Sequence, residues 1–269
     1  MRGLYDRRHR VERGAFVVEG PQAVEAALAA ARVRELYLTE AADTAHAGMA
    51  DLARRCGARV VRITEPVARA MSETQHPQGV IAVCDLVSVP WSDDLLGSLG
   101  ARESSESSRN SHTSVVQPRR VIVVLDRISD PGNAGTIIRT ADAAGASAVV
   151  FTRGSVDPHN GKCVRSTAGS LFHLPIVTDV ESEQVIDDAR RAGVTCLAAD
   201  GHSDVLLGTP QSQLLLSGDV LWVFGSEAHG VSAEVAASVD ARVAIPIAGG
   251  AESLNLAAAA AICLYAGLV

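Results

Sequence analysis

Three polar loops carry the side chains best suited to chemistry, and the first of them reads DRISDPGNAG over residues 126–135. It leads into a predicted helix on which Asn133 and Arg139 stand nearly two turns apart. A helix start offers free N–H groups to an anion, and an arginine can grip a phosphate with two hydrogen bonds. These residues therefore indicate an anionic ligand. A glycine turn with Asn133 as N-cap and Arg139 in a surface salt bridge is the structural alternative.

Two further loops repeat this pattern of polar residues among glycines. GSEAHG begins at Gly225 and holds Glu227, and IPIAGGAESLN begins at Ile245 and ends in Ser253, Leu254 and Asn255. Ser253 can cap the Ala-rich helix that follows, which leaves Asn255 in the first turn, aimed at a ligand or satisfying a buried backbone group. Glu227 can equally belong to a solvated turn. Each loop alone is a weak signal.

Repeated βα units must position these loops. β-Branched runs predict strands, and helical periodicity predicts the helices between them. The predicted strands are residues 121–125, 148–151, 175–177, 195–198, 220–224 and 243–247, and the predicted helices are residues 133–144, 162–172, 183–192 and 254–268. This order predicts an α/β fold with a mostly parallel sheet, whose ligands lie beyond the carboxyl ends of the strands. All three loops follow predicted strands.

A segment rich in Ser, Gly and charge divides the chain. It lacks hydrophobic periodicity and cannot bury enough apolar surface to offset its chain entropy. Residues 96–118 are therefore predicted to be a flexible linker between domains at residues 1–95 and 119–269. The first domain is predicted to alternate α and β. Its predicted helices are residues 21–32, 49–56 and 66–71, and its predicted strands are residues 33–38, 58–63 and 80–86.

Taken together, the three loops resemble the motifs of the SpoU (TrmH-like) branch of the SPOUT RNA 2'-O-ribose methyltransferases. The family's motifs are N-x-G-x-x-x-R, G-x-E-x-x-G and I-P-x-x-G-x-x-x-S-L-N, and this chain reads NAGTIIR, GSEAHG and IPIAGGAESLN. The resemblance covers residues 119–269. Residues 1–95 are similar to the family's substrate-binding domain, which is like ribosomal protein L30e, through FVVEG at residues 16–20 and PQG at residues 77–79. The members of this family that the chain most resembles modify 23S rRNA and include the thiostrepton-resistance methyltransferases.

The resemblance implies a SPOUT α/β-knot, that is, a C-terminal domain tied in a deep trefoil knot, behind an N-terminal L30e-like domain. It implies a homodimer that binds S-adenosylmethionine in the knot and methylates a ribose 2'-hydroxyl of RNA. By position, the residues that would bind the cofactor are Leu221, Gly225, Ile245, Ile247 and Leu254. We expect the substrate to be ribosomal RNA and not transfer RNA.

The resemblance also implies catalytic roles for Arg139, Asn133, Glu227, Ser253 and Asn255. A guanidinium stays protonated in proteins, so Arg139 is better suited to grip the adjacent phosphate and polarise the 2'-oxygen than to act as a base. Asn133 would orient Arg139 or the ribose, and Glu227 would hold Arg139 or Asn255 by a charge-assisted hydrogen bond. Ser253 and Asn255 would position the cofactor and the hydroxyl.

The charge of the chain is uneven along its length. The 269 residues carry a formal net charge of −7, which by itself argues against a nucleic-acid partner. Residues 1–70, however, hold 12 Lys+Arg and 9 Asp+Glu, and the rest of the chain holds 12 and 22. We therefore expect the N-terminal part to contact RNA, through four arginines that could also be a solvated tail: Arg7, Arg8, Arg10 and Arg13.

Other classes of protein lack their signatures in this sequence. No signal peptide or membrane span is visible, and the five cysteines form neither CxxC pairs nor a zinc pattern. We expect a cytoplasmic protein without metal. A small-molecule α/β enzyme would need a dinucleotide fingerprint or a P-loop, and neither is present. A tRNA 2'-O-methyltransferase and a non-catalytic RNA-binding or ribosome-assembly protein stay open as alternatives.

Overall fold

The computed structural model describes residues 1–99 and 119–268 of the chain. Their contacts form two compact units that are discontinuous in sequence. The first unit comprises Met1–Ser88, Ser129–Ala143 and Val156–Ile176, and the second comprises Val89–Ile128, Ala144–Ser155 and Val177–Val269 within the described ranges. The predicted domain boundaries and the predicted knot stay predictions.

The first unit is built around a four-stranded sheet. Its strands, in chain order, are β1 Ala15–Glu19, β2 Val33–Leu38, β3 Arg59–Arg62 and β4 Val80–Asp85. They stand in the order β1-β4-β2-β3, with β4 antiparallel to both neighbours and β2 parallel to β3. Its first helices are α1 Arg7–Arg13, α2 Pro21–Ala29, α3 Glu40–Ala45, α4 Met49–Arg55 and α5 Glu65–Met71. Strand β1 and helices α1 and α3 were not among the predicted elements.

A seven-stranded sheet contains the remaining strands of the described residues. They are β5 Ser88–Val89, β6 Val121–Leu125, β7 Ala148–Thr152, β8 Ile176–Val180, β9 Thr195–Ala199, β10 Val220–Phe224 and β11 Ala241–Val243, in the order β11-β9-β10-β6-β7-β8-β5. The pairs that join β11, β9, β10, β6 and β7 are parallel. Every residue of β6, β7 and β10 is buried, as expected for parallel strands covered on both faces. The predicted mostly parallel α/β fold is confirmed.

Helices complete both units. They are α6 Asp93–Ser98, α7 Pro131–Ala143, α8 Gly161–Thr167, α9 Ser182–Arg191, α10 Pro210–Leu215, α11 Ala233–Ser238 and α12 Leu256–Ala266. Helix α6 extends into the predicted linker because Leu96 and Leu99 pack into the core beside the main sheet. The remainder of the predicted linker, residues 100–118, lies outside the described residues.

Helices α7 and α8 of the first unit pack unusually closely, and Gly135 makes this possible. A Cβ atom at Gly135 would lie 2.3 Å from the backbone oxygen of Cys163 and 2.6 Å from Cβ of Ser166. The central glycine of NAGTIIR therefore has a packing role between two helices.

Candidate active site

A large cavity of about 990 Å³ opens in the second unit beyond the carboxyl ends of β9, β10 and β11. This edge is where ligands bind in open α/β sheets. The loop after β10, the segment between β11 and α12, and the loop after β9 supply its walls. Six of the predicted site residues line this one cavity: Gly225, Glu227, Ile245, Ile247, Ser253 and Leu254.

The loop after β10 is tight, and Gly225 is the residue that permits its closure. A Cβ atom at Gly225 would lie 2.2 Å from the carbonyl carbon and oxygen of Gly230. The N–H of Gly230 donates to the carbonyl oxygen of Ser226 at 2.8 Å, which closes the turn. Glu227 is exposed at the rim. The loop therefore presents backbone and one carboxylate to the cavity.

The chain leaves the sheet earlier than the sequence predicted. Strand β11 ends at Val243, and only the bridge of Ala244 to Leu206 continues the pairing. Ile245 and Ile247 line the cavity instead of extending the strand, which was predicted to end at residue 247. Pro246 lies between them and has no N–H to donate to a ladder.

The start of α12 also differs from the prediction. Asn255 is the N-cap, and its side-chain oxygen accepts hydrogen bonds from the N–H groups of Ala257 at 2.9 Å and Ala258 at 3.3 Å. Ser253 is therefore not the cap. It precedes the helix, is exposed and lines the cavity, whereas Asn255 is not among the lining residues.

Asp200, His202 and Arg242 line the cavity and were missed at the sequence level. Arg242 Nη1 donates to Asp200 Oδ2 at 2.9 Å, and the N–H of His202 donates to Oδ1 at 2.9 Å. Burial alone would raise the pKa of Asp200, but these hydrogen bonds outweigh it and hold the pKa below its ordinary value. The cavity thus contains an ionised carboxylate. The position of residues 200–202 directly after a predicted strand was the signal that could have found them.

Leu221 does not line the cavity. It is fully buried within β10, where it pairs with Ile122 on one side and Cys196 on the other, and it belongs to the core. The prediction placed it in the cofactor site by motif position. The cavity begins at Phe224, the last residue of the strand.

Asn133 and Arg139 share helix α7 in the first unit. Asp130 caps this helix, because its Oδ1 accepts the N–H of Asn133 at 2.7 Å, so Asn133 lies in the first turn and is not the N-cap. A hydrogen bond from Lys162 and then the N–H of Asn133 hold the pKa of Asp130 below its ordinary value. Arg139 is exposed, and among residues 1–99 and 119–268 its guanidinium has no hydrogen-bond or ion-pair partner. A surface salt bridge of Arg139 is therefore not formed within the described chain.

The four N-terminal arginines have different surroundings. Arg7, Arg8 and Arg13 are exposed on α1, and Arg8 pairs with Glu12 at 2.9 Å. Arg10 is only 3% exposed: it donates to Asp157 Oδ2 at 2.7 and 2.9 Å and to the carbonyl oxygens of Leu4 and Tyr5. Its guanidinium is occupied within the fold, so Arg10 has a structural role in place of the predicted RNA contact.

The described residues contain no cluster of His, Cys, Asp and Glu that could hold a metal ion. None of the helices in that part of the chain is long and apolar enough to cross a bilayer. The cysteines are free, and burial raises the pKa of Cys263 to about 12, so this thiol is a core residue and not a nucleophile.

The parallel sheet and the cavity at its carboxyl edge define an α/β ligand-binding protein, and comparison with known proteins gives its family. Residues 120–265 match the SpoU rRNA Methylase family, and residues 1–82 match the MRM3-like substrate binding domain. This chain belongs to the SpoU rRNA methylase family. The resemblance found in the sequence is confirmed.

Relatives cover nearly the whole chain. The 23S rRNA (guanosine(2553)-2'-O)-methyltransferase RlmP of Bacillus subtilis is 31% identical over 263 residues, 97% of this chain and 92% of that protein. The structure of an AdoMet-bound rRNA methyltransferase from Sinorhizobium meliloti is 31% identical in sequence and has a TM-score of 0.79. The match covers 99% of this chain and 91% of that chain. The SpoU methyltransferase AviRb from Streptomyces viridochromogenes, in complex with AdoMet, is 28% identical with a TM-score of 0.78, covering 98% and 94%.

Proposed function

We propose that this chain transfers the methyl group of S-adenosylmethionine to a ribose 2'-hydroxyl of 23S rRNA. The observation that carries the proposal is the cavity in which motif residues from two separate loops, Gly225 to Glu227 and Ile245 to Leu254, line one space at the carboxyl edge of the sheet. Relatives that span almost the whole chain are named as 23S rRNA 2'-O-methyltransferases and as AdoMet-bound enzymes.

The residues of the cavity fit S-adenosylmethionine. Leu206, Ile247 and Leu254 are large apolar side chains that stay about two-fifths exposed along the wall, which a flat, partly apolar ligand would cover. The tight Gly225 loop brings backbone donors and acceptors to the same space, and Asp200 supplies a negative charge suited to a cation. The volume lies within the usual range of small-molecule sites, up to about 1,000 Å³. When bound, the cofactor supplies a methyl group on a positively charged sulfur.

The protein's own groups must bind and orient the ribose. Arg139 is exposed, and its guanidinium grips the phosphate next to the reacting ribose and polarises the 2'-oxygen. Phosphate or water then accepts the hydroxyl proton. Asn133, in the first turn of the same helix, orients the ribose, and Glu227 and Ser253, which line the cavity, position the reactants. Asn255 caps α12 and holds the segment that carries Ser253.

RNA binding is assigned to residues 1–95 and methyl transfer to residues 119–269. Arg7, Arg8 and Arg13 are exposed and close together on α1, whereas Arg10 is left out because it is buried. Replacing the three exposed arginines with Ala should reduce the slope of log affinity against log salt by about 0.9 for each phosphate that is no longer neutralised. An unchanged slope would contradict this assignment.

We further propose a cytoplasmic homodimer. Helix α12 is apolar on all sides, and Ile262 and Tyr265 are 41% and 47% exposed, with Leu268 just beyond the helix 40% exposed. A second copy of the chain would bury this face.

The target RNA is tested by mapping 2'-O-methyl nucleosides in ribosomal and transfer RNA from a strain that lacks the gene. The proposal expects one 2'-O-methyl nucleoside to disappear from 23S rRNA. Loss of a tRNA modification instead would move the function to tRNA. Unchanged rRNA and tRNA would contradict catalysis and favour an RNA-binding protein.

A further inference from the structure

A second cleft, of about 440 Å³, lies in the first unit and has no part in the proposed methyl transfer. Three segments form it: the start of α2 at Gly20–Ala23, the turn at residues 74–78, and Arg165 and Ala168 at the end of α8. Both N-terminal motif segments, FVVEG and PQG, end at this cleft. The cofactor cavity does not account for these two motif segments, because residues of the second unit alone line that cavity.

A fixed carboxylate forms the floor of the cleft. Glu19 at the end of β1 has a side chain only 8% exposed. Its oxygens accept hydrogen bonds from the Tyr5 hydroxyl at 3.1 Å, from the N–H of Glu73 at 3.3 Å, and from the Ser72 hydroxyl. Burial, followed by the charge of Glu19, raises the pKa of Tyr5 well above its usual range, so Tyr5 stays a donor. The cleft is therefore prebuilt and does not depend on a ligand for its order.

Arg165 lines the cleft with a side chain that is 30% exposed. Its Nη1 atom is buried and makes no hydrogen bond within the described chain, although Glu19 and Glu73 carboxylate oxygens lie 3.7 and 3.6 Å away. A ligand in the cleft would not reach Nη1, but it would meet the exposed part of this side chain, and a guanidinium carries further N–H donors for an acceptor.

The charges around the cleft favour a neutral ligand. Two carboxylates and one guanidinium leave the immediate surroundings of Arg165 net negative, which opposes a phosphate. Of these groups, Glu19 and Arg165 line the cleft, where the carboxylate suits an N–H donor of a nucleobase and the guanidinium suits its acceptors. Exposed His76 offers a ring face for stacking, and the Gln78 amide both donates and accepts. Unstacked RNA bases are recognised in this way, by stacking and by hydrogen bonds to the base edge.

We propose that this cleft binds one unstacked nucleobase of the RNA substrate, with His76 stacking on it and Gln78 and Arg165 bonding to its edge. The inference rests on the proposed function, because it assumes that RNA is the substrate. It assigns to the first unit a base-reading site that selects the RNA, separate from the exposed arginines of α1.

The first test compares two cleft variants with a matched control. Gln78→Ala and His76→Ala should each weaken binding to an unmodified 23S rRNA transcript about five-fold or more, as loss of a hydrogen bond or a stacked ring would. Gln75→Ala removes the same side chain from the same turn but does not line the cleft, and it should stay within about two-fold of the wild type. Affinity for S-adenosylmethionine and the melting temperature should not change in any of the three. Equal losses in Gln75→Ala and Gln78→Ala would overturn the proposal.

The second test identifies the base. The wild-type protein protects a fragment of the transcript from nuclease digestion. This fragment is synthesised as a set of RNAs, each with one abasic nucleotide at a different position. One abasic position should weaken wild-type binding and should have no added effect on the double variant His76→Ala/Gln78→Ala. Additive losses at every position mean that the cleft does not hold a base, and they overturn the proposal.

The two proposals fail differently. If the wild type binds the transcript but transfers no methyl group, the proposed function is contradicted, while a coupled abasic position still supports the cleft. If it transfers the methyl group and no position is coupled, only the cleft is contradicted. A wild type that does not bind the transcript contradicts both.

Discussion

Arg139 is the residue on which the proposed transfer most depends. It is exposed on α7, and its planar guanidinium can hold a phosphate with two hydrogen bonds, which the single ammonium of a lysine cannot. Arg139→Lys should lower the rate of methyl transfer at least about 100-fold, while the calorimetric affinity for S-adenosylmethionine stays the same. Arg191→Lys, an equally conservative change at a 73% exposed arginine of α9, should keep the wild-type rate. Wild-type turnover by Arg139→Lys would contradict the role given to this residue.

Gly225 is the residue that determines the shape of the cofactor loop. An added methyl group would collide with the Gly230 carbonyl at 2.2 Å, so the loop must shift. Gly225→Ala should therefore weaken binding of S-adenosylmethionine about ten-fold or more, since rearranging a packed backbone costs about 1–3 kcal/mol. Gly218→Ala is the control, because a Cβ atom there meets nothing within 4 Å. Calorimetry on both variants measures the difference, and equal affinities would show that the loop does not contact the cofactor.

Local chemistry indicated which loops hold polar residues beside the sheet, but it did not fix the exact ends of the elements. Gly225 and Ser253 line one cavity, as expected for loops that follow predicted strands, and their roles stay predictions. Leu221 was placed there by motif position, but a residue three positions before the strand end is held inside the ladder. Asn255, not Ser253, caps α12 because the helix begins at Leu256, two residues later than periodicity indicated.

At the scale of elements, α1 is anchored by a buried network. Arg10 pairs with Asp157 at 2.7 Å, and Asp157 Oδ1 lies 3.2 Å from Nδ1 of His159. The N–H of Val87 donates to Nε2 of the same ring, which places the ring proton on Nδ1, facing Asp157. The guanidinium of Arg10 therefore joins the last turn of α1 to Asp157 and is not available to bind RNA.

Removing the charge of Asp157 should destabilise this network strongly. Asp157→Asn leaves Arg10 buried without its counter-ion, and we expect a loss of about 3–5 kcal/mol in the free energy of unfolding at pH 7. Asp51→Asn breaks an exposed ion pair with Arg54 and should cost less than about 1 kcal/mol. Urea unfolding monitored by circular dichroism measures both. Equal losses would show that the Arg10 pair is not a buried anchor.

The same pair gives a pH dependence with a defined sign. Burial alone raises the pKa of Asp157, but hydrogen bonds from His159 and Arg10 hold it well below its usual range. Its contribution to stability is therefore complete above the unfolded-state pKa of about 4 and is lost as the pH falls toward the folded-state pKa. The difference in the free energy of unfolding between the wild type and Asp157→Asn should therefore become smaller as the pH falls from about 5 to about 3. A constant difference would contradict the assignment.

Continuous apolar runs made most strands predictable, and short polar elements escaped. Strands β6 and β10 match the prediction at both ends, because a run buried on both faces has little freedom of register. Strand β1 was missed, although it is almost wholly buried, because it is short and follows a charged segment. Helix α1 was missed because its stability comes from the Asp6 cap and the Arg10 network, and neither gives an apolar period.

At the scale of the whole molecule, the compact units were beyond prediction from sequence. Residues 129–143 and 156–176 pack with residues 1–88, although both segments lie within the methyltransferase half of the sequence. Such grouping depends on contacts between distant segments, for example Gly135 against Cys163 or Arg10 against Asp157, which no local pattern encodes. The uneven charge was informative, because it pointed to exposed arginines that α1 does present.

The apolar outer face of α12 predicts the oligomeric state. Tyr265→Asp places a charge on this face and should convert a dimer to a monomer in sedimentation experiments, since a charge in an apolar interface is strongly unfavourable. Leu214→Asp alters a 76% exposed residue of α10 and should leave the mass unchanged. A monomeric wild type, or a dimeric Tyr265→Asp protein, would contradict the proposed dimer.

The most direct test of the central claim is methyl transfer in vitro. Purified protein is incubated with an unmodified 23S rRNA transcript and S-adenosylmethionine labelled in its methyl group, and the RNA is then digested to nucleosides. The proposed function predicts the label in a single 2'-O-methyl nucleoside. Label on a base, or no label in RNA that the protein binds, would contradict it.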